Sequence, residues 1–212
     1  MKITFISPYY ENIWESLGIA YIIAYCKKYY NFKIEFFHEN FDPIINIINE
    51  AITSDIVALG CTTCTFQRGS MLAEVIKKSN PKVHIVMGGW HVTVASEIPD
   101  YIDQIVIGEG EKAFLKIVEG NRDKIVYGDL LEFNELPWPD RNSIYQERFL
   151  NFCEKHFNER IGSFVSRRGC PMGCTICAEK HMSCNMVRVR NPLDLLDELD
   201  YVNKVYNLSK FI

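Results

Sequence analysis

The sequence predicts an α/β protein whose N-terminal part is an open, doubly wound parallel sheet. Three observations carry this. Short apolar runs alternate with segments of helical periodicity through the first 128 residues, a pattern that marks βα units. The apolar runs end in Gly, Ser or Thr, the residues expected where loops meet a ligand beyond strand carboxyl ends. After a proline-marked connector, one further strand and amphipathic helix follow before the sequence closes at Ile212.

Taken in order, Lys2–Ser7 reads as a buried strand and Ile13–Tyr29 as a helix with apolar residues at helical spacing. Phe32–Phe37 is the next strand, followed by a helix over Pro43–Ala51 that tolerates Pro43 in its first turn. Asp55–Gly60 is a short strand leading into Cys61-Thr62-Thr63-Cys64-Thr65. A helix over Arg68–Lys78 precedes the strand Val83–Met87, which breaks at Gly88-Gly89. A weak helical segment follows His91, and the strand Gln104–Ile107 leads to Gly108-Glu109-Gly110-Glu111, which opens a helix to Val118. These make five strands.

Residues 129–160 read as a linker. Leu136-Pro137-Trp138-Pro139-Asp140-Arg141 favours extended backbone, and Phe149–Arg160 has no assignable period. A second unit, 161–212, starts with a strand over Ile161–Ser166. Arg188–Arg190 is ambiguous, Pro192–Tyr206 is a helix with Leu193, Leu196, Leu199 and Val202 on one face, and Lys210–Ile212 opens another strand.

A net charge of −4 provides no footprint for nucleic acid or an anionic membrane. The N-terminal apolar run is too short for a signal peptide, and the stretch around Ile19–Cys26 is well below a membrane span. The eight cysteines are therefore expected in a reducing cytoplasm, where clustered thiols serve as metal ligands or catalytic groups.

Cys170, Cys174 and Cys177 are spaced C-x3-C-x2-C in a Gly- and Pro-marked loop. Three thiolates so close together suit a [4Fe–4S] cluster with one iron left open. The alternative is structural zinc, completed by His181 or Cys184, although no clean second ligand pair is present. Cys61 and Cys64 read either as a redox pair or as small residues at a cofactor edge. Glu111 at a helix start complements the helix dipole, and Glu109 is open between that role and acid–base chemistry.

The cysteine triplet, preceded by Ser166-Arg167-Arg168-Gly169 and followed after Cys170 by Pro171, resembles the radical S-adenosylmethionine enzymes. Two departures are Ile176, where the family usually has an aromatic residue, and the extra Arg168. Gly88-Gly89-Trp90-His91-Val92-Thr93, Gly108-Glu109-Gly110-Glu111, Leu136-Pro137-Trp138-Pro139-Asp140-Arg141 and Arg188-Val189-Arg190-Asn191-Pro192 occur in the order seen in the cobalamin-dependent branch of that family.

The resemblance implies three cofactors: a [4Fe–4S] cluster on Cys170, Cys174 and Cys177, S-adenosylmethionine on the open iron, and cobalamin on the N-terminal sheet. The cobalamin contacts fall on Thr62, Thr63, Thr65, Gly88, Gly89, His91, Thr93, Gly108, Glu109 and Gly110. His91 is read as a loop hydrogen-bonding residue or a tail contact. No Asp-x-His-x-x-Gly motif is present, so no histidine is expected below the cobalt.

The implied reaction is radical methylation or rearrangement of an unspecified substrate, with electrons from a flavodoxin- or ferredoxin-type protein. Residues 161–212 correspond to the first βα unit of an incomplete radical S-adenosylmethionine (β/α) barrel. The expectation is therefore a truncated, split or excised protein, inactive unless a second polypeptide completes the barrel. The other readings are a non-catalytic cobalamin-binding module with a vestigial cluster loop, or a zinc-stabilised structural protein.

Overall fold

A computed structural model describes residues 1–95 and 98–212. Strands β1 (Lys2–Ser7), β2 (Lys33–His38), β3 (Ile56–Gly60), β4 (His84–Gly88), β5 (Gln104–Ile107) and β6 (Ile125–Tyr127) form one sheet in the order β2-β1-β3-β4-β5-β6. Every pairing in it is parallel. The open parallel sheet matches the expectation, with β6 as an added edge strand that the three-residue run Ile125–Tyr127 was too short to reveal.

The helices are α1 (Leu17–Lys27), α2 (Ile44–Ala51), α3 (Thr63–Ser79), α4 (Trp90–Val94) and α5 (Gly110–Val118). Alternation along the strands divides the interior in two. Ile3, Phe5, Ala58, Val86 and Val106 pack beneath α1 and α5 with Ile23, Phe114 and Ile117. Ile6, Val57, Leu59, Ile85 and Met87 face the other way, onto α2 and α3 through Ile47, Leu72 and Ile76. Both faces of the strands are thus covered, as an all-parallel sheet requires. The switch point lies between β1 and β3, where connections leave in opposite directions.

Two helix starts differ from expectation. α1 begins at Leu17 because residues 8–16 are held as a loop: the Tyr9 amide donates to Glu39 (2.8 Å), and Asn40 exchanges hydrogen bonds with Tyr10. α3 begins at Thr63, ahead of Arg68, because Thr62 and Thr65 form a reciprocal capping box.

Past the sheet, α6 (Gln146–Phe157) forms where the pattern was unassignable. β7 (Ile161–Gly162) runs parallel to β10 (Lys210–Phe211), joined through α8 (Pro192–Tyr206). Beyond β7 the pairing with the last residues continues through the Phe164 amide, which donates to the Ile212 carbonyl (2.8 Å), while side chains take the other edge of the strand. Ser163 N–H donates to Glu15 (2.8 Å), and its carbonyl accepts from Arg141 (2.8 Å). β8 (Arg167–Arg168) and β9 (Arg188–Val189) pair antiparallel around the cysteine loop, which contains the short helix α7 (Glu179–Ser183).

α8 has the predicted limits, with Asn191 accepting from the Leu193 amide and Pro192 at its first position. Its docking face is rotated from the predicted one, keeping Val202 buried and Leu199 half-buried. Glu198, Val202 and Tyr206 point inward, and Leu193 and Leu196 are exposed. The cause is ionic: the Glu198 carboxylate is drawn between Arg141 (2.9 Å) and Arg190, which turns the leucines outward.

Arg141 also pairs with Glu15, and all three side chains are nearly inaccessible, at 4% for Arg141 and 1% for each glutamate. Burial pushes the Glu15 carboxyl up, opposed by Arg141 and by the Ser163 N–H. Removing the Arg141 cation would leave Glu15 buried without its cation and Glu198 with Arg190 alone. Arg141→Ala is expected to lower unfolding free energy by about 3–5 kcal/mol, measured in urea, with a smaller loss for Arg141→Lys.

Candidate functional site

A cavity of about 790 Å³ opens at the carboxyl ends of β1, β3, β4 and β5. It does not stop at the sheet edge. It continues as a slot over Phe5, Ala58, Val86 and Val106, walled by Ile19, Ile22 and Phe114 from α1 and α5. Ala58, together with Gly60 and Gly88 at the strand ends, leaves this space open where larger side chains would close it. The slot is mostly apolar, and its mouth is ringed by Tyr10, Trp14 and Trp90.

Of the residues singled out from the sequence, Thr62, Thr65, Gly88, Gly89, Gly108, Glu109 and Gly110 line this cavity. Thr63, His91 and Thr93 lie beside it and are not in its wall. The His91 ring stacks on Phe66 at 3.8 Å, with Nδ1 3.3 Å from the Thr63 hydroxyl. Thr93 donates to the Gly89 carbonyl (2.9 Å) and accepts from the Gly108 N–H (3.1 Å), tying two glycine turns together. Thr65 is buried, and its hydroxyl accepts the Thr62 amide at 2.9 Å, so it serves the helix cap.

The glycines divide by physical cause. Gly89 has φ of +106°, and a Cβ there would sit 2.5 Å from the Cys61 carbonyl oxygen, so the fold itself demands glycine. Gly60 and Gly88 have no such constraint. Their added Cβ atoms would meet Ile19 at 3.5 Å and Val106 at 3.6 Å, ordinary van der Waals distances.

Cys61 lines the cavity, and burial pushes its thiol up to about 12, so it stays protonated at neutral pH. Cys64 is exposed on the first turn of α3. These are not the properties of an active redox pair. His38 is the cavity's one histidine among the described residues. It is buried, which lowers its imidazole pKa, and its Nδ1 accepts from the Asn40 amide at 3.3 Å.

The second unit supplies the remaining wall through Val165, Arg167, Arg168, Gly169, Cys170, Glu179 and Met182. Cys170 is half-buried, and Cys174 and Cys177 are exposed. Among the described residues no three His, Cys, Asp or Glu side chains are gathered as a metal-holding group. The three thiols are therefore not arranged as a ready cluster site.

Glu109 and Glu111 stand at the start of α5 and are committed to arginines of the cysteine hairpin. Arg188 donates to Glu109 through both terminal nitrogens, with one bond at 2.9 Å. Arg168 donates to Glu111 at 2.6 Å and lies 3.3 Å from Glu109, with its guanidinium 5.0 Å above the Tyr21 ring. Glu111 thus complements the helix start and carries an ion pair as well. The sequence signalled the two carboxylates but not their partners, which are 57 and 79 residues away. It also missed Tyr10 and Trp14, because nothing in a loop without periodicity shows which side chains face a cavity, and Tyr21, whose place on α1 reads only as core.

A parallel sheet with an apolar slot at its switch point, roofed by a second unit, defines a cofactor-binding α/β module. The match to known families is specific: residues 4–118 fit the B12 binding domain, and the chain belongs to the cobalamin-dependent radical S-adenosylmethionine family. It is 26% identical over 250 aligned positions to the anaerobic magnesium-protoporphyrin IX monomethyl ester cyclase of Rubrivivax gelatinosus, covering 100% of this chain and 44% of the cyclase. It is 31% identical over 80 positions to the cobalamin-dependent radical SAM methyltransferase TokK of Streptomyces tokunonensis, covering 36% of this chain and 12% of TokK. Its fold also resembles the radical S-adenosylmethionine methyltransferase TsrM of Kitasatospora setae, with a TM-score of 0.72 at 14% identity, over 100% of this chain and 47% of TsrM. The chain spans less than half the length of each of these proteins.

Gly89→Ala is expected to cost about 2 kcal/mol or more of unfolding free energy, from the disfavoured backbone angle and the blocked carbonyl. Urea denaturation followed by circular dichroism checks it, and a loss under about 0.5 kcal/mol would contradict the assignment.

Proposed function

We propose that this chain is a corrinoid-binding module that holds cobalamin at the carboxyl edge of its sheet. The observation that carries the reading is the slot between the sheet and α1/α5, open at Gly60 and Gly88, where the protein has room for a Cβ and yet has none. Close approach of a large ligand is the physical reason for glycine there. An apolar slot of this depth suits the flat nucleotide base of the cobalamin tail, and the wider mouth suits the ring.

His38 is engaged with Asn40 and buried, so it is not available as a cobalt ligand. Cobalamin would supply cobalt-centred methyl or electron transfer. The chain's own residues would orient it, exclude water from its tail and, through Tyr10, Trp14 and Trp90, cover its edge.

Titration of the purified chain with hydroxocobalamin, followed by absorption spectroscopy after reduction, tests this. The expected result is one corrinoid per chain with a base-off spectrum lacking histidine ligation. Co-elution failing on gel filtration would overturn it. Gly88→Ala is expected to keep unfolding free energy within about 0.5 kcal/mol and to weaken hydroxocobalamin binding at least about tenfold, since a methyl group then occupies the ligand's space.

A second reading is favoured by the C-x3-C-x2-C spacing and by what the relatives are named for. In it Cys170, Cys174 and Cys177 hold a [4Fe–4S] cluster that binds S-adenosylmethionine, for radical methylation or rearrangement. β7, α8 and β10 are then the first βα unit of the barrel, with the remaining units and a flavodoxin- or ferredoxin-type reductant as partners. The exposed Leu193 and Leu196 and the free edge of β10 agree with such a continuation. Anaerobic reconstitution with iron and sulfide analysis decides: about four irons per chain supports it, and bound corrinoid without iron leaves the module alone.

A further inference from the structure

We infer that Arg188, which does not line the cavity, is a positioning residue that sets the cysteine hairpin as one wall of the corrinoid site. The binding half of this inference rests on the function proposed above; the structural half does not. Arg188 and Arg168 are direct partners in the antiparallel β8–β9 pair, bracketing the loop that carries Cys170, Cys174 and Cys177. Like charges placed opposite one another destabilise such a pair. Here both guanidiniums are directed onto Glu109 and Glu111 of α5, and that supplies the missing compensation.

Arg188 is the deeper of the two, 2% exposed against 17% for Arg168. Its terminal nitrogens reach both Glu109 oxygens and also the Leu131 carbonyl, so three chain segments meet on one cation. Glu109 belongs to the turn after β5, which lines the cavity at the sheet's carboxyl edge. Cys170, Gly169 and Arg168 face the cavity from the hairpin side. The pair Arg188–Glu109 therefore fixes the separation of turn and hairpin, and of the two only Glu109 lines the cavity. Neutralising Arg188 would leave Glu109 to Arg168 alone and release the hairpin at its β9 end, with the sheet's own ladders untouched.

The test is hydrogen exchange and hydroxocobalamin titration on the full chain, comparing Arg188→Gln and Arg188→Lys with the parent. In Arg188→Gln, amides of 167–170 and 186–190 are expected to exchange at least about tenfold faster, with the strands of the main sheet at parental rates. Hydroxocobalamin affinity is expected to fall at least about fivefold although the side chain makes no ligand contact. Arg188→Lys keeps a cation on Glu109 and is expected to show a smaller change in both.

Unchanged hairpin exchange in Arg188→Gln would overturn the inference. So would a uniform rise through hairpin and sheet, since that marks a merely structural role. If Arg188→Gln does not fold, Arg188→Lys decides by the same criterion: a rise confined to the hairpin supports positioning, and no rise or a uniform one refutes it. Failure of the parent chain to bind hydroxocobalamin would remove the corrinoid reading, and the exchange data would still decide whether Arg188 positions the hairpin.

Discussion

The second unit is attached to the sheet by buried ion pairs, and most of what is distinctive in this structure depends on that attachment. Two groups of charge carry it: Glu109 and Glu111 with Arg168 and Arg188, and Glu15 with Arg141, Glu198 and Arg190. An apolar interface would have been at least as stable, because desolvating ions is costly. What paired charges add is registry. A guanidinium that must meet two carboxylates has one acceptable position, whereas leucines slide. The same demand explains why α8 presents Glu198 inward and leaves Leu193 and Leu196 to solvent.

The cavity exists because these two attachments lie on opposite sides of it. Glu15 anchors the loop after β1, next to Trp14 at the mouth, and Glu109 anchors the turn after β5. Between them the sheet's switch point is left open, as expected where successive connections depart to opposite faces. Small residues then deepen the opening. Gly89 is glycine for the backbone's sake, and Gly60 and Gly88 are glycine for the space they leave. Position in a motif does not separate these two kinds, and the contact each Cβ would make does.

Much of the sheet was legible because most strands are short apolar runs, and β3, β4 and β5 stop at Gly60, Gly88 and Gly108. β6 was not, since Ile125–Tyr127 has no length for a pattern to appear. α1 and α3 shifted for reasons that lie elsewhere in the chain: Glu39 and Asn40 hold the loop before α1, and the Thr62–Thr65 box starts α3 early. The glycine turns and the cysteine loop were visible as motifs. Their mutual placement was not, because Arg188 and Glu109 meet across 79 residues with no periodicity linking them. Thr63 and His91, read as ligand contacts, lie beside the cavity and within hydrogen-bond distance of each other, a contact no motif signals.

The division between a cofactor module and a catalyst turns on the cysteine loop, and there the physics of the two cofactor sites differs. A corrinoid site can be largely preformed, since apolar walls and open backbone are properties of the folded sheet. A cluster site formed by one loop is not, because thiolates brought together without metal repel each other and cysteine side chains left in water have no cause to converge. Cys174 and Cys177 lie exposed, and only Cys170 is half-buried, separated by one residue from Arg168, which is paired with Glu111. The hairpin thus fixes one end of the triplet against the cavity and leaves the other two thiols exposed. That asymmetry is what a loop needs if metal, and not the polypeptide, is to complete its geometry.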